Sequence, residues 1–176
     1  MVDMRVDVVG YDPAWHQKFD EQRDRLTILL SEWLAAPVEH VGSTAVTGLA
    51  SKPIVDILAP VTSLVAAHNA VPLLAEDGWH QWSADPNRSW RCWFLRPLPE
   101  SRTHHLYLIQ YDDPHARELR AFRDALRANA LRDRYAVLKQ DLAKQSHGDR
   151  EAYTTAKARF VEDALRQNGI EPLRRP

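Results

Sequence analysis

The run His40-Val-Gly-Ser-Thr-Ala-Val-Thr-Gly-Leu-Ala-Ser-Lys-Pro-Ile-Val-Asp56 holds the densest set of residues with chemistry to offer. Its small residues fall where a strand is expected to hand over to a helix. Main-chain N–H groups after Gly42 and the hydroxyls of Ser43 and Thr44 can therefore converge on one point, which is the chemistry of a phosphate cradle. Lys52 adds a positive charge, and Asp56, thirteen residues after Ser43 on the next strand, is placed to hold a divalent cation against the same phosphate. Taken alone, a Gly-Ser-Thr loop is more often a tight turn with capping hydroxyls. Against that stands a carboxylate inside an otherwise apolar strand, which is costly unless it is paired or used. His40, beside the loop, reads as a brace before a base.

A second cluster is Arg102-Thr-His-His-Leu-Tyr-Leu108. Alternation along a strand sends His105 and Tyr107 to one face and His104 and Leu106 to the other, so one histidine at most shares a site with Tyr107. Isolated histidines in strands are usually hydrogen-bonded structural residues, the default for His104; for His105 the family resemblance set out below brings a site role level with that reading. Arg88 and Arg91 flank Ser89–Trp90, and with Trp82 and Trp93 they offer stacking and charge to a nucleotide, Arg91 being the ligand-binding candidate. An arginine stem lying over an indole is also ordinary surface packing. Arg120, Arg123 and Arg127 form one helical stripe, an anion clamp only if that face turns toward the Gly-Ser loop. No histidine–cysteine spacing resembles a zinc site.

The elements that must position these residues follow from pattern. Asp12–Pro13 is a helix start, and Trp15, Phe19, Leu26, Leu30 and Trp33 lie along one face of a helix ending before Pro37. Strands are expected over Val6–Val9, Val38–Val41, Ile54–Val61, from Trp79, over Trp90–Leu95 and over His105–Gln110, the last two as antiparallel neighbours. Ser63–Glu76 reads as helix divided near Pro72. Asp113–Pro114 opens a helix carrying Leu119, Phe122 and Leu126, followed by helices over Leu131–Gln145 and Asp149–Asn168 around a Ser146–His147–Gly148 turn, with Gly169 as the stop. Tyr135, Lys139, Tyr153 and Lys157 on those helices match positions of the family resemblance given below, and the residues themselves point to no chemistry beyond helix packing and the lining of a cleft. The expectation is a single α+β domain over residues 1–170 with a helical C-terminal third, and a frayed tail over 171–176.

Composition narrows the function classes. The chain has 176 residues, 44% hydrophobic, with 23 lysines and arginines against 24 aspartates and glutamates, a formal charge of −1. That balance gives no global attraction to nucleic acid or anionic membrane, so specific DNA binding is not expected and any bound anion needs a local site. One cysteine, Cys92, forms no internal disulfide, and the start of the chain lacks a signal-peptide pattern, so the expected setting is the reduced cytoplasm.

The block HVGSTAVTGLASKPIVDI resembles the signature of the GrpB family, as do YDPAW, RTHHLYL, FRDALRA, YAVLKQDLA and DREAYTTAKARFVE, in order from Tyr11 to Leu165. The resemblance implies the nucleotidyltransferase superfamily of DNA polymerase beta type, an α+β domain with a mixed sheet, in which a Gly-Ser loop is followed by an acid-apolar-acid strand. Carried over, Gly42 and Ser43 become the nucleotide-phosphate loop and Asp56 the first metal carboxylate. The second carboxylate falls at Leu58, which coordinates no ion, and the strand expected to supply a third acid carries His105 and Tyr107. The implied function is binding of a nucleotide or another phosphorylated small molecule, with metal-dependent transfer in question and Mg²⁺ or Mn²⁺ held weakly, through the phosphate. The alternative is a non-catalytic accessory module assisting a partner such as a coenzyme A biosynthesis enzyme, since the family also occurs fused to dephospho-coenzyme A kinase.

Overall fold

The computed structural model describes residues 8–145 and 150–173. Two apolar runs make its centre. Strand β2 (Val55–Val61) is buried at every position but Asp56, and it pairs in parallel with β5 (His104–Gln110). Strands buried on both faces need cover on both sides. β1 (Glu39–Val41) adds antiparallel to the free edge of β2, β4 (Arg91–Arg96) antiparallel to β5, and the short β3 (His80–Gln81) antiparallel to β4. The result is a mixed five-stranded sheet of order β1-β2-β5-β4-β3.

One face of the sheet, carrying Ile57, Ala59, Val61, Leu106, Leu108, Cys92 and Phe94, forms the main core. It is covered by α1 (Ala14–Leu29), α2 (Leu64–Ala67) and α3 (Val71–Glu76). Asp12 accepts the Ala14 N–H at 2.9 Å at the start of α1, and Trp15, Phe19, Leu26, Leu30 and Trp33 are all buried, as their spacing predicts. The opposite face is partly covered by α4 (Pro114–Leu126), capped by Asp113, which packs Ala116 over Val41, Leu58 and Ile109. The C-terminal helices α5 (Asn129–Gln145) and α6 (Arg150–Gln167) add a third cluster, in which Tyr135 and Phe160 meet Val46 and Leu49 of the loop after β1. No helix among the described residues is long and apolar enough to cross a membrane.

Several boundaries differ from expectation, each for a local reason. Helix α1 stops at Leu29. The next residues leave the helix to pair with the end of β2, the Ala35 N–H donating to the Pro60 carbonyl at 2.9 Å and the Thr62 N–H to the Trp33 carbonyl at 2.9 Å. The break in the second helical region falls at a 3₁₀ turn, His68–Ala70, and Pro72 sits harmlessly in the first turn of α3. The strand expected from Trp79 starts at His80, because the Trp79 N–H still donates to the Leu74 carbonyl at the end of α3, at 2.9 Å. Of the strand expected over Val6–Val9, Val9 makes a lone bridge to Ser51, and residues 6 and 7 lie outside the described residues, as does the 146–148 turn. Within the segment expected to fray, the Leu173 N–H donates to Glu118, which ties residues 171–173 back to α4. Residues 174–176 are outside the described residues.

Trp15 is 1% exposed in the main core. Trp15→Ala is expected to cost roughly 3–5 kcal/mol, read as a lowered urea midpoint with unchanged slope.

Candidate functional site

Register builds the site. Parallel pairing sets Asp56 beside His105 and Leu58 beside Tyr107, and the antiparallel β4 sets Trp93 opposite Tyr107. Side chains on paired residues share a face, so Asp56, His105, Tyr107 and Trp93 gather on the side of the sheet opposite the main core. Asp56 Oδ1 accepts from His105 Nδ1–H at 2.9 Å and from the Tyr107 hydroxyl at 3.1 Å. The carboxylate leaves the proton on His105 Nδ1, and Nε2 of that ring is buried without a partner. Trp93 meets the His105 ring edge-on with centroids 5.3 Å apart.

Gly42 closes the other side. It leaves β1 at φ +71°, and a Cβ there would lie 2.5 Å from Asp56 Oδ2, so both the backbone and the close approach require glycine. Asp56 remains 26% exposed. Burial pushes its carboxyl up, but the hydrogen bond and charge of His105, the charge of Lys157 and the Tyr107 hydroxyl outweigh that and hold it below its ordinary value. The Tyr107 phenol goes the other way, raised well above its ordinary value by burial and then by the charge of Asp56, so it stays a donor.

The remaining candidates divide. Ser43 is half-buried in the 3₁₀ turn Ser43–Ala45, directly after Gly42, and Lys52 is half-buried in the loop before β2. Thr44 is turned inward rather than toward a ligand. It is 1% exposed, donates to the Ile54 carbonyl at 3.2 Å and accepts from His40 Nε2 at 3.0 Å. That hydroxyl holds the loop to β2, and His40, stacked on Phe19, is the brace. Arg91 is anchored by a two-pronged pair to the buried Asp85 at 2.7 and 3.0 Å, with its guanidinium over Trp90, Trp93 and Tyr107. It walls the aromatic side of the site, with two of its nitrogens committed to Asp85. The arginine stripe does turn toward the Gly-Ser loop, but Arg120 and Arg123 are paired with Glu39 on β1, and Arg123 also donates to the His40 carbonyl. Lys157 is the residue whose role sequence reasoning missed: nothing in its spacing shows that α6 brings its charge to bear on Asp56.

The donor set does not fit a pair of divalent ions, which needs several bridging carboxylates. Leu58, where a second acid would stand, is buried under α4, and among the described residues no group of three histidine, cysteine or acidic side chains is placed to hold a metal.

The GrpB protein family profile matches residues 5–167. The chain belongs to the GrpB family. It is 37% identical over 170 residues to a UPF0157 protein of Pseudomonas aeruginosa, covering 93% of this chain and 67% of that one. It is 31% identical over 165 residues to the glutamate-rich protein GrpB of Alkalihalophilus pseudofirmus, covering 91% and 94%. Against the UPF0157 protein YqkA of Bacillus subtilis, 29% identical, the GrpB-family chain spans 46% of the relative's length. The crystal structure of the conserved protein GrpB from Enterococcus faecalis superposes with a TM-score of 0.81 at 30% identity, covering 93% of this chain and 99% of that one. A chain of the GLD-2/RNP-8 complex superposes with a TM-score of 0.57 at 13% identity over 89% of this chain and 61% of its own, a likeness of fold alone.

Two outcomes follow. Gly42→Ala adds both a left-handed strain and a clash with Asp56, so it is expected to destabilise by about 1–3 kcal/mol in urea unfolding, more than Gly10→Ala, where a Cβ meets nothing within 4 Å. His40 and His104 are each lowered to about 4, burial being the leading cause. Because the unfolded chain takes up protons at about 6.5 while these rings stay neutral, stability falls as pH drops from about 6.5 to 4 and the loss levels off below. His104→Gln is expected to flatten that slope, measured as unfolding free energy against pH.

Proposed function

We propose that this chain binds a nucleotide or another phosphorylated small molecule over the Asp56 face of the sheet, on a domain of the nucleotidyltransferase type. The observation that carries the reading is the partly exposed Asp56 carboxylate, fixed by His105 and Tyr107 and backed by a glycine that admits no side chain. An ionised acid in a strand otherwise buried throughout is costly, and the side chains around it are spent on keeping it charged and oriented. Gly42 and Ser43 supply close main-chain approach, Lys157 positive charge, and Trp93 with Tyr107 a flat apolar wall for a base or sugar.

Leu58 bears on turnover. With one carboxylate, the site binds better than it transfers, and this favours a second reading in which the same fold acts as a non-catalytic accessory module for a partner such as a coenzyme A biosynthesis enzyme. The two are separated by thermal shift with AMP, ADP and dephospho-coenzyme A, each with and without Mg²⁺. Ligand binding is expected to raise Tm. The double variant His105→Phe/Tyr107→Phe is then expected to weaken binding at least about tenfold, or ~1.4 kcal/mol, with a smaller loss of stability. Equal loss of binding and stability makes the cluster structural, and no shift across the panel leaves the accessory module as the reading.

A further inference from the structure

The bonding of Asp56 also says how the site handles charge. Oδ1 is already shared by the His105 ring N–H and the Tyr107 hydroxyl, and Oδ2 faces the Gly42 main chain. The surrounding same-face positions offer one other carboxylate, Glu39 opposite Leu58 on β1, and both of its oxygens are taken up by Arg120 and Arg123. Leu58 is 0% exposed against Val41, Ile109 and Ala116, Val41 is the register partner of Asp56 on β1, and Trp93 and Leu95 stand opposite Tyr107 and His105 on β4. The positive charge of Lys157 already acts on the carboxylate. A magnesium-like ion demands a nearly octahedral set of oxygens. To enter here it would have Oδ2 alone, against the Gly42 main chain, as its acidic oxygen, with Oδ1 held by two hydrogen bonds and a cation of the protein's own acting on the same carboxylate.

We propose that Asp56 is the hydrogen-bond acceptor that positions His105 and Tyr107, and not a metal ligand, so that the phosphorylated ligand is taken with no metal ion at Asp56. This rests on the reading that such a molecule binds on this face, and the test keeps the two apart. The first arm is a Mn²⁺ titration of the full ¹⁵N-labelled chain, following the amides of Gly42, Asp56 and His105. No selective broadening is expected at millimolar Mn²⁺. Broadening of those amides at micromolar Mn²⁺ that disappears in Asp56→Asn overturns the proposal. The second arm reads the His105 ring nitrogens directly. The wild type is expected to show the Nδ1–H tautomer and Asp56→Asn a mixture of tautomers with the fold retained; a mixture already in the wild type overturns the positioning role. The third arm compares AMP and pyrophosphate binding in Mg²⁺ and in EDTA. Equal affinity is expected, and binding that needs Mg²⁺ overturns the proposal. If neither probe binds while the Mn²⁺ titration is silent and the tautomer is Nδ1–H, the ligand reading has failed and the assignment of Asp56 stands.

Discussion

A single ionised carboxylate on the buried central strand constrains much of this molecule. Asp56 interrupts a strand whose other six positions are buried, and an unpaired charge there would oppose folding. The parallel register of β2 on β5 answers it by setting His105 alongside, with Tyr107 one step further on the same face. A slip of one residue would turn both donors into the main core and bring His104 and Leu106 to the acid. The glycine at position 42 follows from the same constraint, since the chain must pass within contact distance of the carboxylate to return from β1.

The parts of this arrangement that depend on period were legible in the residues alone. Alternation separated His105 and Tyr107 from His104, and the run Ile54–Val61 declared a buried strand with one acid in it. Cap-and-proline pairs marked the starts of α1 and α4. What could not be read was which long-range partner each polar group would find. Thr44 has the right chemistry for a ligand, but its hydroxyl goes to the Ile54 carbonyl, because the loop must be fastened to β2. Arg91 finds Asp85, and Lys157 reaches the field of Asp56 from a helix a hundred residues downstream. Such choices are set by how helices dock, and no local pattern encodes docking.

The C-terminal helices are part of the site's framework. Lys139, 3% exposed, donates to the Ala50 carbonyl and to Ser51 Oγ while its amine lies over the Tyr135 ring. Arg132 donates to the Thr47 carbonyl. Together with the Val46–Leu49–Tyr135–Phe160 cluster, these contacts hold the loop that begins at Gly42 from its far end, while Arg120 and Arg123 hold the strand before it through Glu39. The loop is therefore clamped on both sides by helices that follow it in sequence. Burial, with Lys157 adding to it, brings the Lys139 amine down to about 7, the cost of placing an ammonium where its main role is to tie down loop oxygens.

The indole of Trp93 stands edge-on to His105 and stacked beside Tyr107, and Trp90 lies flat on His115 with centroids 3.8 Å apart. Both flank the same Arg91 guanidinium. The tryptophans thus divide by face, Trp90 and Trp93 around the Arg91 guanidinium on the Asp56 side and Trp15 and Trp79 in the main core on the other.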